Sequence, residues 1–216
     1  MVREEEHVKT RILYAAKKLI AQKGFEATTV REICREADAN LSLVSYYYGG
    51  KEHVFEALLD AFIPMGEIID RLRALKLEPV AGVCSLTREI VRFRAADPEI
   101  SQIIHQEMTR RTPRTGMMQQ RKLLIWRLMR EYMEEGGRQN LFRFRSLDAV
   151  CVYVAGSILF GGFGTSFEPV LESEPPDVET QVSDVLCYIL GGLGYGGEPE
   201  FTPERIWPAH EPGARS

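Results

Sequence analysis

The segment NLSLVSYYYGGKE, from Asn40 to Glu52, contains three consecutive tyrosines followed by two glycines and a lysine. A phenol offers an apolar face for stacking and a hydroxyl group that donates or accepts a hydrogen bond. The lysine adds a positive charge a few residues after the rings. Side chains of these types suit contact with a phosphate, a sugar or the methyl group of a base. Which rings are available for such contacts depends on the helix that carries them.

A helix turns by about 100° per residue, which separates the three rings. Leu41, Val44 and Tyr48 fall within one narrow sector and are predicted to form a buried stripe. Tyr48 is therefore expected to be structural, whereas Tyr46 points outward and Tyr47 lies at the edge. The exposed face and its flanks carry Ser42, Leu43, Ser45, Tyr46 and Tyr47.

Capping signals place this helix after another short helix. Thr29 followed by Glu32 predicts a capping box, in which side chains satisfy the unpaired amides of a new helix. Asn40 suits the N-cap of the second helix, and Gly49 suits its C-terminal end. The chain must turn between the two helices, at Asp38.

Two short helices joined by a tight turn and preceded by a long helix predict a helix-turn-helix. The second helix of this motif enters the major groove of DNA with its N-terminal residues near base edges. Arg31, near the start of the first short helix, is expected to hold a phosphate or read an adjacent base. Lys51, at the start of the following long helix, is expected to contact a phosphate on the far side. Hydroxyl groups of Tyr46 and Tyr47 would donate to phosphates.

The charge distribution is consistent with this interpretation. The whole chain carries a net charge of −4, but eight Lys or Arg face four Asp or Glu between His7 and Lys51. A small basic module on an acidic body is the electrostatic pattern of a confined surface that binds a polyanion. The pattern argues against a protein that coats nucleic acid indiscriminately.

The block from about Lys9 to Phe62 resembles the DNA-binding domain of the TetR family of bacterial transcriptional regulators. The shared features in AAKKLIAQKGFEATTVREICREADANLSLVSYYYGGKEHVFEALL are the helix-Gly-aromatic-x-x-Thr-Thr opening, the turn spacing, and the aromatic triplet before Lys-Glu. Two positions depart from the pattern: Asp38 stands where Gly is usual in the turn, and Tyr47 where His is frequent. The resemblance implies a DNA-contacting set of Thr29, Arg31, Ser42, Leu43, Ser45, Tyr46, Tyr47 and Lys51.

The remainder of the chain shows helical periodicity without strand alternation, so the predicted fold class is all-α. Long helices are expected at about 80–96, 99–111, 117–135, 147–167 and 178–193, and Pro64 is expected to bend an earlier one. We expect a helix-turn-helix domain at residues 1–51 and a helical effector-binding and dimerisation domain at 52–195. A Pro- and Gly-rich tail at 196–216 is expected to be poorly ordered.

The resemblance also implies partners. Family members are homodimers that bind palindromic double-stranded DNA operators, and many respond to a small molecule. Two segments that are apolar over most of their surface, SLDAVCVYVAGSILFGGFGTSF and DVETQVSDVLCYILGGLG, suit helices buried between two protomers. The protein is thus predicted to be a ligand-responsive repressor rather than an activator, because occlusion of a promoter needs no further contacts.

A Met-rich region between residues 99 and 133 is the predicted site of a small, mainly apolar effector. Its alternative interpretation is a helix core, which a stripe of methionines at helical spacing more often forms. The candidate effector-binding residues are His105, Met108, Trp126, Met129 and Tyr153.

Composition limits the other possibilities. The chain has 216 residues, of which 44% are hydrophobic and 27% charged, the profile of a globular protein. The N-terminus carries acid where a signal peptide has a basic and then an apolar region, and no window of about eighteen residues is apolar. We therefore expect a cytoplasmic protein without a membrane partner.

Metal and cofactor sites are not expected. The four cysteines are at least 36 residues apart, and no two of the four histidines have the spacing that one helix needs to bind a metal. Four reduced, buried thiols are the expected state of Cys34, Cys84, Cys151 and Cys187.

Two rival functions have some support in the sequence. GLGYGG, from Gly192, has the spacing of a dinucleotide loop, but a predicted helix precedes it where the mechanism requires a strand. His105 and Glu107 point in different directions on a helix, so they do not form an acid–base pair, and no catalytic residue is predicted. The second rival is an interaction or ligand-sensing protein that keeps the fold without binding DNA, which Arg31, Lys51 and the exposed tyrosines argue against.

Overall fold

The computed structural model describes residues 2–63, 65–109, 115–160, 172, 174 and 176–201, with the side chains of 2–5 and 108–122 excepted. Within these ranges the chain forms α-helices and no strand, so the predicted all-α class is confirmed. The helices are α1 Val2–Lys23, α2 Val30–Glu36, α3 Leu41–Tyr48, α4 Lys51–Phe62, α5 Met65–Ala74, α6 Pro79–Ala96, α7 Pro98–Thr109, α8 Thr115–Arg138, α9 Leu147–Phe160 and α10 Val178–Gly192.

The helix ends follow the local signals in the sequence. Thr29 Oγ1 accepts a hydrogen bond from the Glu32 amide at 3.3 Å, while the Thr29 amide donates to Glu32 Oε2 at 2.9 Å. This is the predicted capping box of α2. The Asn40 side chain caps α3, and Gly49 ends it with a φ of 77°. The predicted bend at Pro64 and the extension of α9 to residue 167 lie outside the described residues.

Packing divides the chain into two compact units. The first contains Met1–Met65 and Asp97–Gln119, so α1, α2, α3, α4 and α7 belong to it. Within this unit α1 packs against α2, α4 and α7, and α3 packs against α2 and α4. Its fully buried core side chains include Ile12, Ile20, Ile33, Phe55, Leu58 and Leu59. Helix α4 therefore packs in the same unit as the helix-turn-helix, although we expected the DNA-binding domain to end at residue 51.

The second unit contains Gly66–Ala96 and Gln120–Pro208. In this unit α6 packs against α9 and α10, and α9 packs against α10. The Arg92 guanidinium forms two hydrogen bonds with the carboxylate of Glu179 on α10, at 2.9 and 2.8 Å. A Cβ atom at Gly82 of α6 would lie 2.5 Å from the ring of Tyr132 on α8, so only glycine permits this close approach.

The beginning of the tail packs back onto the second unit. The Arg143 amide donates to the Leu193 carbonyl at 2.7 Å. The ring centroid of Tyr195 lies 6.1 Å from that of Phe142, and the Arg88 guanidinium lies 4.9 Å from the centre of the Phe201 ring. Residues 202–216 lie outside the described part of the chain, and poor order of the tail at 196–216 stays a prediction.

The cysteines differ from the expectation of four buried thiols. Cys34 and Cys84 are buried, Cys151 is half-buried and Cys187 is exposed, all as free thiols. Burial raises the pKa of Cys34, Cys84 and Cys151. Helical periodicity identifies an apolar helix but not which of its sides another element covers, which is why the prediction failed at Cys187.

None of the helices in the described ranges is long and apolar enough to cross a membrane. In the same ranges, no three His, Cys, Asp or Glu side chains are placed to hold a metal ion together.

Candidate nucleic-acid interface

The turn between α2 and α3 is held by a residue of α1. Asp38, at the turn position where Gly is usual, adopts a φ of 47°, in the left-handed region. The Arg11 guanidinium donates to the Asp38 carbonyl at 2.7 Å, and the Ala39 amide donates to the Cys34 carbonyl at 2.9 Å. Arg11 is 27 residues before the turn, so local spacing gave no signal of this contact.

One face of α3 is seated on its neighbours. Val44 is fully buried, and the Tyr48 hydroxyl donates to the Lys9 carbonyl of α1 at 3.1 Å. Burial raises the pKa of Tyr48 to about 12, so this phenol remains protonated. Leu41, predicted to share the buried stripe, is 44% exposed. Leu41 is the first residue of α3. Its angular position on the helix predicts which face it shares, but not where the helices that cover this face end.

The other two tyrosines lie on the outer side of α3. Tyr46 is 79% exposed, and its ring meets that of Tyr47 edge-on, with centroids 5.2 Å apart. The Lys9 ammonium lies 5.0 Å from the Tyr47 ring centre, a distance at which a cation is attracted to the π face. Lys9 thus contacts Tyr47 and, through its carbonyl, Tyr48, a role that sequence reasoning missed. Tyr46 is the ring that α3 presents outward.

The remaining predicted contact residues flank this ring or lie on α2. Ser42 and Ser45 are exposed on α3, and Leu43 is half-buried. Arg31 is exposed on the first turn of α2. Thr29 is also exposed, but its hydroxyl already donates to Glu32 Oε2 at 2.8 Å. The structure therefore brings exposed hydroxyl groups, Tyr46 and a cation to the helix-turn-helix.

Lys51 is placed differently from the other predicted residues. It is half-buried, and its Nζ atom donates to the carbonyls of Thr28 at 2.9 Å and Phe25 at 3.0 Å. The same ammonium lies 4.2 Å from the centre of the Phe25 ring. Two of its three donors are thus taken by the chain itself.

Several basic residues of the positively charged stretch are paired within the first unit. Lys18 lies 2.5 Å from Glu36, and Lys23 lies 2.6 Å from Glu32. The hydrogen bond from Lys23, followed by those from Thr29, lowers the pKa of Glu32 to about 2. These pairs leave the surplus of positive charge between His7 and Lys51 unchanged, because each uses one cation and one carboxylate of that stretch.

The candidate effector residues lie in different surroundings. His105 is exposed on α7 in the first unit, and Met108 on the same helix has its side chain outside the described residues. In the second unit, Trp126 is half-buried and Met129 only 1% exposed on α8. Tyr153 is 68% exposed on α9. Burial of Met129 is also what the alternative interpretation, a methionine in a helix core, would give.

Comparison with known proteins centres on the same helices. The family model of bacterial regulatory proteins of the tetR family matches residues 12–58. The probable HTH-type transcriptional regulator YttP of Bacillus subtilis is 44% identical over 54 residues, which are 25% of this chain and 26% of YttP. The match therefore spans about a quarter of that relative.

Two other proteins resemble a larger part of the chain. The HTH-type transcriptional repressor NicS of Pseudomonas putida is 26% identical over 157 residues, which are 70% of this chain and 72% of NicS. The crystal structure of HlyIIR, a hemolysin II transcriptional regulator, matches with a TM-score of 0.71 at 23% identity, covering 88% of this chain and 98% of HlyIIR. That structural likeness shows a shared fold.

The family match includes the capped α2, the turn at Asp38, α3 with its outward Tyr46, and the start of α4. These are the elements that form the helix-turn-helix described above. Over these helices, residues 12–58, the chain matches the tetR family of bacterial regulatory proteins.

Proposed function

We propose that this protein represses transcription by binding a palindromic DNA operator as a homodimer, with α3 of each protomer in the major groove. The observation that carries the proposal is Tyr46, which is 79% exposed on a helix whose opposite face is buried. A large aromatic side chain held outward on a helix-turn-helix suits contact with the DNA backbone and base edges. NicS, similar over 70% of this chain, is itself named a repressor.

The proposed contact set on DNA keeps the residues expected from the sequence. Exposed Ser42 and Ser45 suit base edges or phosphates, and Arg31 suits a phosphate or a guanine. Thr29 would use its backbone and the remaining capacity of its hydroxyl. The proposed set is Thr29, Arg31, Ser42, Leu43, Ser45, Tyr46 and Tyr47, with Lys51 considered separately below.

We place the dimer contact on α9 and α10. Val152, Tyr153 and Phe160 of α9 are 68%, 68% and 58% exposed, and Tyr188 of α10 is 71% exposed. Large apolar side chains concentrated on two helices are typical of a surface that another protein covers. A Cβ atom at Gly156, which lies on α9, would meet nothing within 4 Å in the protomer. The face therefore has room for the close approach of a second helix.

A small, mainly apolar effector is proposed to bind in the second unit. Thr87 of α6 is fully buried, and its Oγ1 atom has no hydrogen-bond partner among the described residues. Leaving a buried hydroxyl unpaired costs about 1–3 kcal/mol, which a ligand with a polar group would recover. Trp126 and Met129 remain candidates for its apolar contacts. Tyr153 suits the dimer contact better, because it is 68% exposed in the protomer.

The operator is tested by selecting bound sequences from a random duplex library with purified protein at a stated salt concentration. Recovery of a palindrome, bound by two protomers, is the expected result. A folded dimer that enriches no sequence would overturn the proposal in favour of an interaction or ligand-sensing protein.

The effector is tested separately, by thermal shift against a panel of small amphipathic and apolar molecules. A stabilising molecule should also change the affinity for the selected operator. Thr87→Val keeps the shape of the side chain and removes the hydroxyl, so it should weaken binding of that molecule. Equal binding by Thr87→Val and the wild type would show that the Thr87 hydroxyl does not contact the molecule.

A further inference from the structure

Lys51 begins α4 but directs its ammonium group into the protein. The Nζ atom is 2.9 Å from the Thr28 carbonyl oxygen and 3.0 Å from the Phe25 carbonyl oxygen. It also lies 4.2 Å from the centre of the Phe25 ring, within the range of a cation–π interaction. An ammonium has three donors, so this environment occupies most of its capacity.

The two carbonyls belong to the segment that connects α1 to α2. Gly24 begins this segment with a φ of 85°, and the Thr28 side chain, fully buried, donates back to the Gly24 carbonyl at 2.8 Å. The Thr28 amide donates to the Phe25 carbonyl at 3.1 Å. The next residue, Thr29, is the N-cap of α2. The ammonium of Lys51 thus bridges both ends of the turn that sets where α2 begins.

Phe25 fixes the same turn to α4 from the apolar side. Its side chain is 2% exposed, and its ring meets that of Phe55 edge-on, with centroids 5.1 Å apart. Lys51 and Phe55 are four residues apart on α4, so both project from one face of this helix. Together they hold the ring and the carbonyl of Phe25. The connection between α1 and α2 is therefore anchored to the first turn of α4.

We propose that Lys51 is a positioning residue, which orients α2 and α3 for DNA by holding the Phe25 and Thr28 carbonyls, and does not itself neutralise a phosphate. The proposal rests on the DNA-binding function proposed above. It differs from the sequence-based expectation, in which Lys51 contacts a phosphate on the far side of the helix-turn-helix.

Salt dependence distinguishes the two roles. A cation that neutralises one phosphate releases counterions, and its loss lowers the slope of log affinity against log salt by about 0.9. A residue that only orients the reading helix leaves that slope unchanged while the affinity for the operator falls. Loss of orientation also reduces operator binding more than nonspecific binding, because the latter depends mainly on charge.

The experiment compares Lys51→Met with Arg31→Met, a matched removal of one cation from an exposed position of the same domain. Affinity for the selected operator and for a random duplex is measured at several salt concentrations, on protein confirmed to be folded and dimeric. We expect Lys51→Met to lose about tenfold or more in operator affinity, comparable to the effect of one mismatched base pair in the operator, with an unchanged slope. Arg31→Met should lower the slope by about 0.9.

Lys51→Arg provides the rescue. The guanidinium also donates to carbonyls and stacks on aromatic rings, so operator affinity should recover at least in part. A reduced slope for Lys51→Met, with equal losses on operator and random duplex, would identify a phosphate contact and overturn the proposal. Unchanged operator affinity of the folded Lys51→Met dimer, whatever its melting temperature, would overturn it as well.

Hydrogen exchange tests the positioning role without DNA. Lys51→Met, or Lys51→Gln if the methionine variant does not fold, should speed exchange of the Thr28 amide, while amides in α10 remain unaffected. Equal exchange at Thr28 in wild type and variant would overturn the proposal. This readout also separates it from the proposed function, since it holds even if no operator is recovered.

Discussion

The Nζ atom of Lys17 lies 2.9 Å from Oδ2 of Asp97, and both side chains are more than nine-tenths buried. The other carboxylate oxygen of Asp97 accepts a hydrogen bond from the Ile100 amide at 3.0 Å, at the start of α7. The Lys17 ammonium also lies 4.6 Å from the Phe62 ring centre. One carboxylate thus pairs a buried cation of α1 and caps α7. These contacts join the start of α7 to α1, although the two helices are distant in sequence.

Substitutions of Asp97 should separate these two tasks. Asp97→Asn keeps an oxygen for the Ile100 amide but leaves the buried Lys17 without its main counter-ion, so we expect a loss of about 3 kcal/mol in the free energy of unfolding. Asp97→Ala also removes the cap and should cost about 1 kcal/mol more. Urea denaturation at neutral pH measures both.

Glu99→Gln is the matched control for the charge. Glu99 lies 3.3 Å from the same Lys17, but its side chain is 42% exposed, so its loss should cost less than about 1 kcal/mol. Equal stabilities for Asp97→Asn and the wild type would show that the buried pair contributes nothing.

Tyr46 and Tyr48 should respond in opposite ways. Tyr46→Ala removes a side chain that is 79% exposed, so it should weaken operator binding with little change in unfolding free energy. Tyr48→Phe removes the hydrogen bond to the Lys9 carbonyl and should cost about 0.5–1.5 kcal/mol of stability. Operator titrations and urea denaturation of both variants provide the measurement. Full operator affinity in Tyr46→Ala would contradict the assigned face of α3.

The capping box should make stability depend on pH in acid. The pKa of Glu32 is lowered from its ordinary value of 4.5 to about 2 by Lys23 and Thr29. A depressed folded-state pKa contributes stability above the unfolded pKa, and this contribution is lost as pH falls from about 4.5 towards 2. Urea midpoints measured across that window should fall more steeply in the wild type than in Glu32→Gln, which retains capping ability. Parallel pH profiles would exclude this role for Glu32.

Charge on the exposed faces of α9 and α10 should dissociate the dimer. Tyr188 is 71% exposed in the protomer, so Tyr188→Glu should leave the fold intact and place a charge in the proposed interface. We expect sedimentation to show a monomer at concentrations where the wild type is dimeric. Asp70→Lys, on the exposed side of α5, serves as the control and should remain dimeric. A dimeric Tyr188→Glu variant would show that the interface lies elsewhere on the protein.

Two helix glycines should respond differently to alanine. A Cβ atom at Gly136 of α8 would lie 2.1 Å from the ring of Phe142, whereas one at Gly66 of α5 would meet nothing within 4 Å. Gly136→Ala forces a buried ring to move and should destabilise by about 1–3 kcal/mol. Gly66→Ala should stabilise by up to about 1 kcal/mol, as expected in a helix. Thermal unfolding of both variants checks the sign of each change.

Local signals predicted the helix-turn-helix. The capping box at Thr29 and Glu32, the Asn40 cap and the left-handed Gly49 all depend on residues within a few positions of each other. Such interactions are encoded in short sequence windows, so the beginnings and ends of α2 and α3 were predictable. The starts of the long helices predicted at 80, 99, 117, 147 and 178 were also located within a few residues, because their apolar periodicity persists over many turns.

Contacts between distant segments were not predictable in the same way. Lys17 meets Asp97 across 80 residues, and Lys51 meets Phe25 across 26. A single sequence carries no periodic signal for such pairs. The exposure of Leu41 and Cys187 was missed for a related reason, since helical angle predicts a face but not what covers it. The surroundings of a site residue were therefore hardest to predict where its side chain turns inward.

The unequal exposure of the four thiols makes the unmodified chain suitable for selective labelling. Cys34 and Cys84 are buried, and Cys151 is half-buried with its pKa raised, whereas Cys187 is exposed on α10 one residue before Tyr188. A thiol reagent should therefore modify Cys187 first, without any engineered cysteine. A fluorophore attached there would lie beside the proposed contact between protomers and would report its formation in real time.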